Sequence, residues 1–379
     1  MSKRHLHAVA ASHVFDGANL HRDAAVVIEG ERIAALLPRE ELPRDMAAEF
    51  FQGLWLAPGF IDLQVNGGGD VLFNAAPTAE GIATIAAAHR KFGTTALLPT
   101  LITDTPDKMR AALEAVRTAR SGQPSVLGIH LEGPYLSPER PGVHAADRMR
   151  TPSPADVELI ANAGVGVVLV TLAPERVPEG FIRQLAARGI RVSLGHTIAS
   201  YEQTRAAIDE GLSGFTHLFN AMPQLAARAP GPIAAALERP DVWYSIIVDG
   251  IHVAPAMLRL ALRGAGRPIL ITDAMPPVGG RRLTFQLYDQ EIRTIDGRCL
   301  RKDGALAGAA LDMATAVRNC VQMLEVPLER ALTFASANPA DFLGLGDRLG
   351  RIAEGYRADL VAFDPDDIAV VRTWVAGRS

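Results

Sequence analysis

Glu132, His196, His217 and Asp273 each close a short apolar run, and together they are the side chains of this sequence best suited to metal chemistry. Two imidazoles and one carboxylate are a ligand set that leaves a catalytic divalent cation one open position. An ion so held lowers the pKa of a bound water from roughly 15.7 to about 7 and polarises a carbonyl oxygen, which suits hydrolysis of an amide or a related bond. Asp273, not needed as a fourth ligand, is placed to take the water's proton and hand it to the leaving nitrogen, which departs poorly unless protonated. Singly, each residue has a plainer reading, since a strand-end His is often a hydrogen-bonded structural group and a strand-end Asp often a helix cap. The joint pattern is what favours a metal. His130 and Glu132 alternate with apolar residues in Gly128-Ile129-His130-Leu131-Glu132, so both side chains lie on one side of a strand and either could be the ligand. Glu132 is preferred because it lies nearer the strand's C-terminal end.

These residues need a scaffold that gathers strand ends. Eight apolar runs supply one, at residues 56–64, 95–100, 126–132, 165–171, 191–196, 214–217, 243–249 and 268–273. Ala-rich segments with helical spacing separate them, at 78–92, 105–120, 153–163, 178–188, 200–210 and 254–263, several opened by Ser, Thr or an early Pro. Alternating βα units of this kind imply a (β/α)8 TIM-type barrel, whose active site forms at the C-terminal ends of its strands. The barrel is expected over 56–349, with a β-hairpin insertion at 281–303 and helices at 311–324 and 328–335 completing it. The two ends, 1–55 and 350–379, read as short alternating strands that together form a small β-sandwich domain. His5-x-His7 lies in that small domain and is not a site. Gly67-Gly68-Gly69 reads as a tight loop rather than a phosphate cradle, and Gly344-x-Gly346 lacks the spacing of a dinucleotide fingerprint.

The 379 residues carry 38 Lys+Arg against 42 Asp+Glu, a net charge of -4 with no basic run, so neither a nucleic acid nor an anionic membrane is the expected partner. The two cysteines, Cys299 and Cys320, form neither a metal-ligand pair nor a disulfide framework, which points to a reducing, cytoplasmic setting. His5, His7, His13 and Asp16 interrupt any signal-peptide core, so the N-terminus reads as the first strand of the fold. No run reaches the roughly 20 apolar residues of a membrane span.

Seven stretches, in order along nearly the whole chain, resemble the amidohydrolase superfamily and, within it, the deacetylases of sugar phosphates. They are Ala57-Pro58-Gly59-Phe60-Ile61-Asp62, His130-Leu131-Glu132-Gly133-Pro134-Tyr135, Ser193-Leu194-Gly195-His196-Thr197, Thr216-His217-Leu218-Phe219-Asn220-Ala221-Met222, Asp249-Gly250-Ile251-His252, Thr272-Asp273-Ala274-Met275 and Leu306-Ala307-Gly308. The resemblance implies metal ligands Glu132, His196 and His217, with Asp273 as general base and then acid, and His144 polarising the acetyl carbonyl. It further implies substrate contacts at Gly133, Asn220, Ala221, His252 and Leu306, and a homodimer in which Arg228 reaches the phosphate in the neighbouring active site. The wider superfamily's His-x-His is here Gln64-Val65-Asn66, which removes two ligands of a second metal and favours one ion per subunit. Zn²⁺ is the default, with Fe²⁺, Co²⁺ and Mn²⁺ also suited to this ligand set. The implied reaction is removal of acetate from N-acetylglucosamine 6-phosphate, with the galactosamine epimer and a silent scaffold barrel as alternatives. Residues 135–150 are the candidate lid.

Overall fold

The computed structural model describes residues 6–379. Eight parallel strands form its central sheet: β1 (Phe60–Val65), β2 (Thr94–Ile102), β3 (Gly128–Glu132), β4 (Val167–Leu172), β5 (Arg191–Leu194), β6 (Gly214–Phe215), β7 (Trp243–Ile247) and β8 (Arg267–Ile271). Each is hydrogen-bonded to the next in sequence, from β1 round to β8. A parallel bridge from Val65 to Ala274 closes the ring, with the Asn66 and Gly67 N–H groups both donating to the Ala274 carbonyl at 2.9 Å. The sequence thus folds as the (β/α)8 barrel its alternation implies. Every residue of β1, β2 and β3 is buried, which is why these strands read as continuous apolar runs rather than as alternating ones.

Helices Ala79–Arg90, Pro106–Arg120, Pro154–Ala161, Phe181–Ala186, Tyr201–Asp209 and Pro255–Ala261 connect successive strands. Ser200 and Gln203 form a capping box at the start of the fifth, and the Thr105 hydroxyl caps the second. One connecting helix, Gly231–Glu238, escaped the sequence reading because its Ile-Ala-Ala-Ala-Leu run carries no polar stripe to mark a period.

The chain divides into two compact units, one of residues 63–88 and 97–311, the other of the remaining segments. The second holds a single continuous six-stranded sheet, made of Leu6–Phe15, Leu20–Glu29, Arg32–Pro38, Ala48–Pro58, Leu360–Phe363 and Val370–Trp374. Val9, Val26, Ile28, Phe51, Leu56, Leu360 and Trp374 form its core. His5 lies outside the described residues. The run expected at 56–64 is split at Gly59, where the six-stranded sheet ends and β1 begins. A Cβ on Gly59 would lie 2.1 Å from the Thr95 side chain, so this corner requires glycine. In the first unit, residues beyond β8 form a four-stranded antiparallel sheet, Thr284–Leu287, Gln290–Ile295, Arg298–Leu300 and Leu306–Ala309. Its Leu287, Ile292, Cys299 and Ala307 pack with Leu72, Ile102 and Met275, and Val143 leans on the same cluster. Among the described residues no helix is long and apolar enough to cross a membrane.

The β3–β4 pairing sets the height of Glu132, and it depends on the absence of a side chain at Gly128. A Cβ there would fall 1.8 Å from the Val167 carbonyl oxygen, a backbone atom that can move only if the two strands part. Gly128→Ala is therefore expected to lower stability by about 3 kcal/mol or more. A urea midpoint unchanged from that of the parent protein would contradict this close approach.

Candidate metal centre

The barrel places Glu132 on the last position of β3, with His196 two residues beyond β5 and His217 two residues beyond β6. His196 and His217 adopt left-handed backbone conformations (φ 48° and 34°), and Asp273, two residues beyond β8, does the same (φ 52°). Gly133, immediately after Glu132, has φ 91°. A left-handed kink at each strand end turns the side chain across the barrel mouth instead of along the strand. For a residue other than glycine such a conformation costs roughly 1–3 kcal/mol, which makes three of them at one site a functional signature.

Three donor atoms meet as a result. Glu132 Oε1 lies 2.9 Å from His217 Nε2 and 3.2 Å from His196 Nε2, and the two imidazole nitrogens are 3.1 Å apart. Metal–ligand bonds of about 2.0–2.1 Å in a tetrahedral site put neighbouring ligand atoms roughly 3.3 Å apart, so this triangle fits a divalent ion of that size. All three side chains are buried. His196 Nδ1 sits 2.9 Å from the Arg140 carbonyl, an obligate acceptor, so Nδ1 carries the proton and Nε2 keeps the lone pair a metal needs. A Cβ on Gly142 would come within 3.0 Å of the same ring, so the loop crosses the ligand closely only because it has glycine there.

Burial would raise the Glu132 carboxyl, but the His196 and His217 imidazoles against it hold it well below the usual range. Asp273 is moved the opposite way: burial, reinforced by the negative charge of Glu132 and opposed by His217, pushes it up to about 6. Asn66 Nδ2 donates to Asp273 Oδ1 at 2.7 Å, and Gln64 Nε2 lies 3.1 Å from both Asp273 Oδ1 and Glu132 Oε2. The Gln64 and Asn66 amides thus occupy, as hydrogen-bond donors, the places where a second ion would need lone pairs.

His144 completes the constellation. The Thr103 N–H donates to its Nδ1 at 3.3 Å, which a backbone amide can do only to a lone pair, so the ring proton sits on Nε2, 3.7 Å from Glu132 Oε2. Burial holds the His144 imidazole well below its usual pKa, and the neighbouring His196 acts in the same direction, so the ring is neutral. His130, the alternative ligand, is occupied beneath the site: Nδ1 lies 3.2 Å from Thr100 Oγ1 and Nε2 2.7 Å from Thr171 Oγ1, and burial lowers its pKa to about 4. It is a neutral ring in a hydrogen-bonded layer.

One cavity of about 170 Å³ gathers most of the residues singled out from sequence: Asn66, Glu132, His144, His196, His217, Asn220, Ala221, His252, Asp273 and Leu306 all line it. His252 is fixed by Asp249, whose Oδ2 accepts from Nδ1 at 2.6 Å. Gln64 and Gly133 lie behind the lining, and Arg228 is exposed on the loop after His217, away from the cavity of its own chain. Ile102, Val143, Met275 and Gly308 also line it. Of these, Met275 and Gly308 carried a signal, standing in the Thr272-Asp273-Ala274-Met275 and Leu306-Ala307-Gly308 stretches. The segment 135–150 is tied down at several points, with the Ser137 N–H donating to the His196 carbonyl and Arg150 paired with Asp156.

The model of the amidohydrolase family matches residues 55–379. N-acetylgalactosamine-6-phosphate deacetylase of Shewanella sp. (strain ANA-3) is 44% identical over 327 residues, 85% of this chain and 82% of the relative. The crystal structure of N-acetylglucosamine-6-phosphate deacetylase from Pasteurella multocida is 35% identical and superposes with a TM-score of 0.95 over 98% of both chains. An alanine variant of the Mycobacterium smegmatis N-acetyl-D-glucosamine-6-phosphate deacetylase, solved with N-acetyl-D-glucosamine 6-phosphate, is 36% identical, with a TM-score of 0.91 over 98% of both chains. By the extent of these matches and the ligand set that they accompany, the chain belongs to the amidohydrolase family.

Proposed function

We propose that this chain hydrolyses the N-acetyl group of N-acetyl-D-glucosamine 6-phosphate, giving D-glucosamine 6-phosphate and acetate. The observation that carries the reading is the convergence of Glu132, His196 and His217 within hydrogen-bond distance of one another in a cavity that also holds Asp273 and a neutral His144. One divalent ion per subunit, Zn²⁺ by default and Fe²⁺, Co²⁺ or Mn²⁺ by the same ligand logic, would polarise the amide carbonyl and acidify a water.

The chain's own residues do the rest. Asp273, oriented by Asn66 and Gln64, takes a proton from the attacking water and returns it to the amide nitrogen as the C–N bond breaks, so that water is consumed and amine and acetate leave. A carboxyl poised near neutrality beside one held ionised is the arrangement that separates a proton carrier from a fixed anion. His144 Nε2–H donates to the carbonyl oxygen as negative charge grows on it. Gly133, Asn220, Ala221, His252 and Leu306 hold the sugar. Arg228 of a second copy reaches the phosphate, so the active unit is a homodimer, and binding energy from that remote group fixes the amide for attack. The free, buried thiols of Cys299 and Cys320 accord with a cytoplasmic enzyme.

The Shewanella relative favours a second reading on the same machinery, with the 4-epimer, N-acetylgalactosamine 6-phosphate, as substrate. Acetate release from both phosphorylated epimers and from unphosphorylated N-acetylglucosamine separates these. The glucosamine compound should give the highest kcat/KM and the unphosphorylated sugar almost no turnover. A higher kcat/KM for the galactosamine epimer would reverse the substrate assignment. Asp273→Asn should lower kcat by about 10²–10⁴-fold while the sugar phosphate still binds in calorimetry. His196→Asn and His217→Asn should each bring metal content, measured by mass spectrometry of dialysed protein, well below one ion per chain. Full retention of metal by either variant would exclude this triad as the site.

A further inference from the structure

The four-stranded sheet beyond β8 sends one side chain toward His144. Tyr288 and Asp289 form the two-residue loop between Thr284–Leu287 and Gln290–Ile295, and Tyr288 is left-handed (φ 52°), in a loop position ordinarily given to glycine. A tyrosine held there against its backbone preference calls for a compensating interaction. Its hydroxyl donates to the Thr103 carbonyl. Arg148, from the segment that carries His144, covers the ring at 4.9 Å and pairs with Asp104 at 2.7 Å. Thr103 is the residue whose N–H donates to His144 Nδ1, and its hydroxyl lies 2.9 Å from the same nitrogen.

We propose that Tyr288 is a positioning residue for hydrolysis: its hydroxyl holds the Thr103 carbonyl, which keeps Thr103 against the imidazole and so holds His144 with Nδ1 accepting and Nε2–H facing the cavity. The proposal rests on the reading that His144 donates to the acetyl oxygen. Tyr288 touches no reacting atom, and the antiparallel sheet acquires a role through it, that of a brace on the imidazole. Without the hydroxyl, Thr103 loses its anchor, and the opposite tautomer of His144, which presents a lone pair to the carbonyl, becomes accessible.

Tyr288→Phe removes one oxygen and keeps the ring that Arg148 covers. In zinc-loaded protein labelled with ¹⁵N-histidine, the parent should show His144, assigned by its loss in His144→Asn, with Nδ1 unprotonated and Nε2 protonated. Tyr288→Phe should show a mixture of tautomers. Its kcat should fall about 10-fold with KM changed less than twofold, the size expected when a partner that orients a site residue is lost. Adding Tyr288→Phe to His144→Asn should cause no further loss. An unchanged tautomer with kcat preserved, or an undiminished loss in the His144→Asn background, would overturn the proposal alone. Parental kcat in His144→Asn would instead overturn the role given to His144, and this proposal with it.

Discussion

A carboxylate and two imidazole nitrogens, all buried and all within 3.2 Å of one another, are what the rest of this molecule is arranged around. Charged and polar groups so placed are costly unless something of opposite charge joins them. A divalent cation relieves that cost, and the fold accepts strain to present the ligands. Left-handed backbone at His196, His217 and Asp273, at roughly 1–3 kcal/mol apiece, is a large outlay for a domain whose net stability is of the order of 5–15 kcal/mol. Continuous burial of the barrel strands and close approaches such as that at Gly128 are the scaffold that over-determines those conformations.

The same site shows how one fold selects its chemistry by exchanging neutral donors for ligands. Gln64 and Asn66 place amide N–H groups against Asp273 and Glu132, where imidazoles would have brought lone pairs. The amides orient Asp273 without taking its charge and leave it free to carry a proton. Two carboxyls that share the Gln64 amide are pushed to opposite behaviour, Glu132 kept low by the two imidazoles against it and Asp273 raised by burial and by Glu132's charge.

The sequence made the strand-end chemistry legible because barrel geometry converts position along the chain into position in space: a polar residue closing an apolar run has only the barrel mouth to occupy. Glu132, His196, His217, Asp273 and the cavity residues Asn220 and His252 follow from that rule together with the family resemblance. What stayed hidden depends on contacts across the fold. Position along the strand already favoured Glu132 over His130, but it did not show why His130 is spent, which is that Thr100 and Thr171 on the neighbouring strands claim both its nitrogens. The proton on His144 is set by the backbone amide of Thr103, 41 residues away, and the carbonyl of that same residue is in turn held by Tyr288, 185 residues from Thr103. The apolar run at 56–64 looked like one strand because composition does not show that Gly59 turns the chain from one sheet into another.

Hydrolysis supported by a single ion in the Glu132–His196–His217 triangle is the centre of this account, and a titration of metal-free protein with Zn²⁺, followed by acetate release from the 6-phosphorylated amino sugar, tests it most directly. Activity should be absent at the start, rise linearly and reach its plateau at one equivalent per chain. A plateau at two equivalents, or full activity before any metal is added, would contradict it.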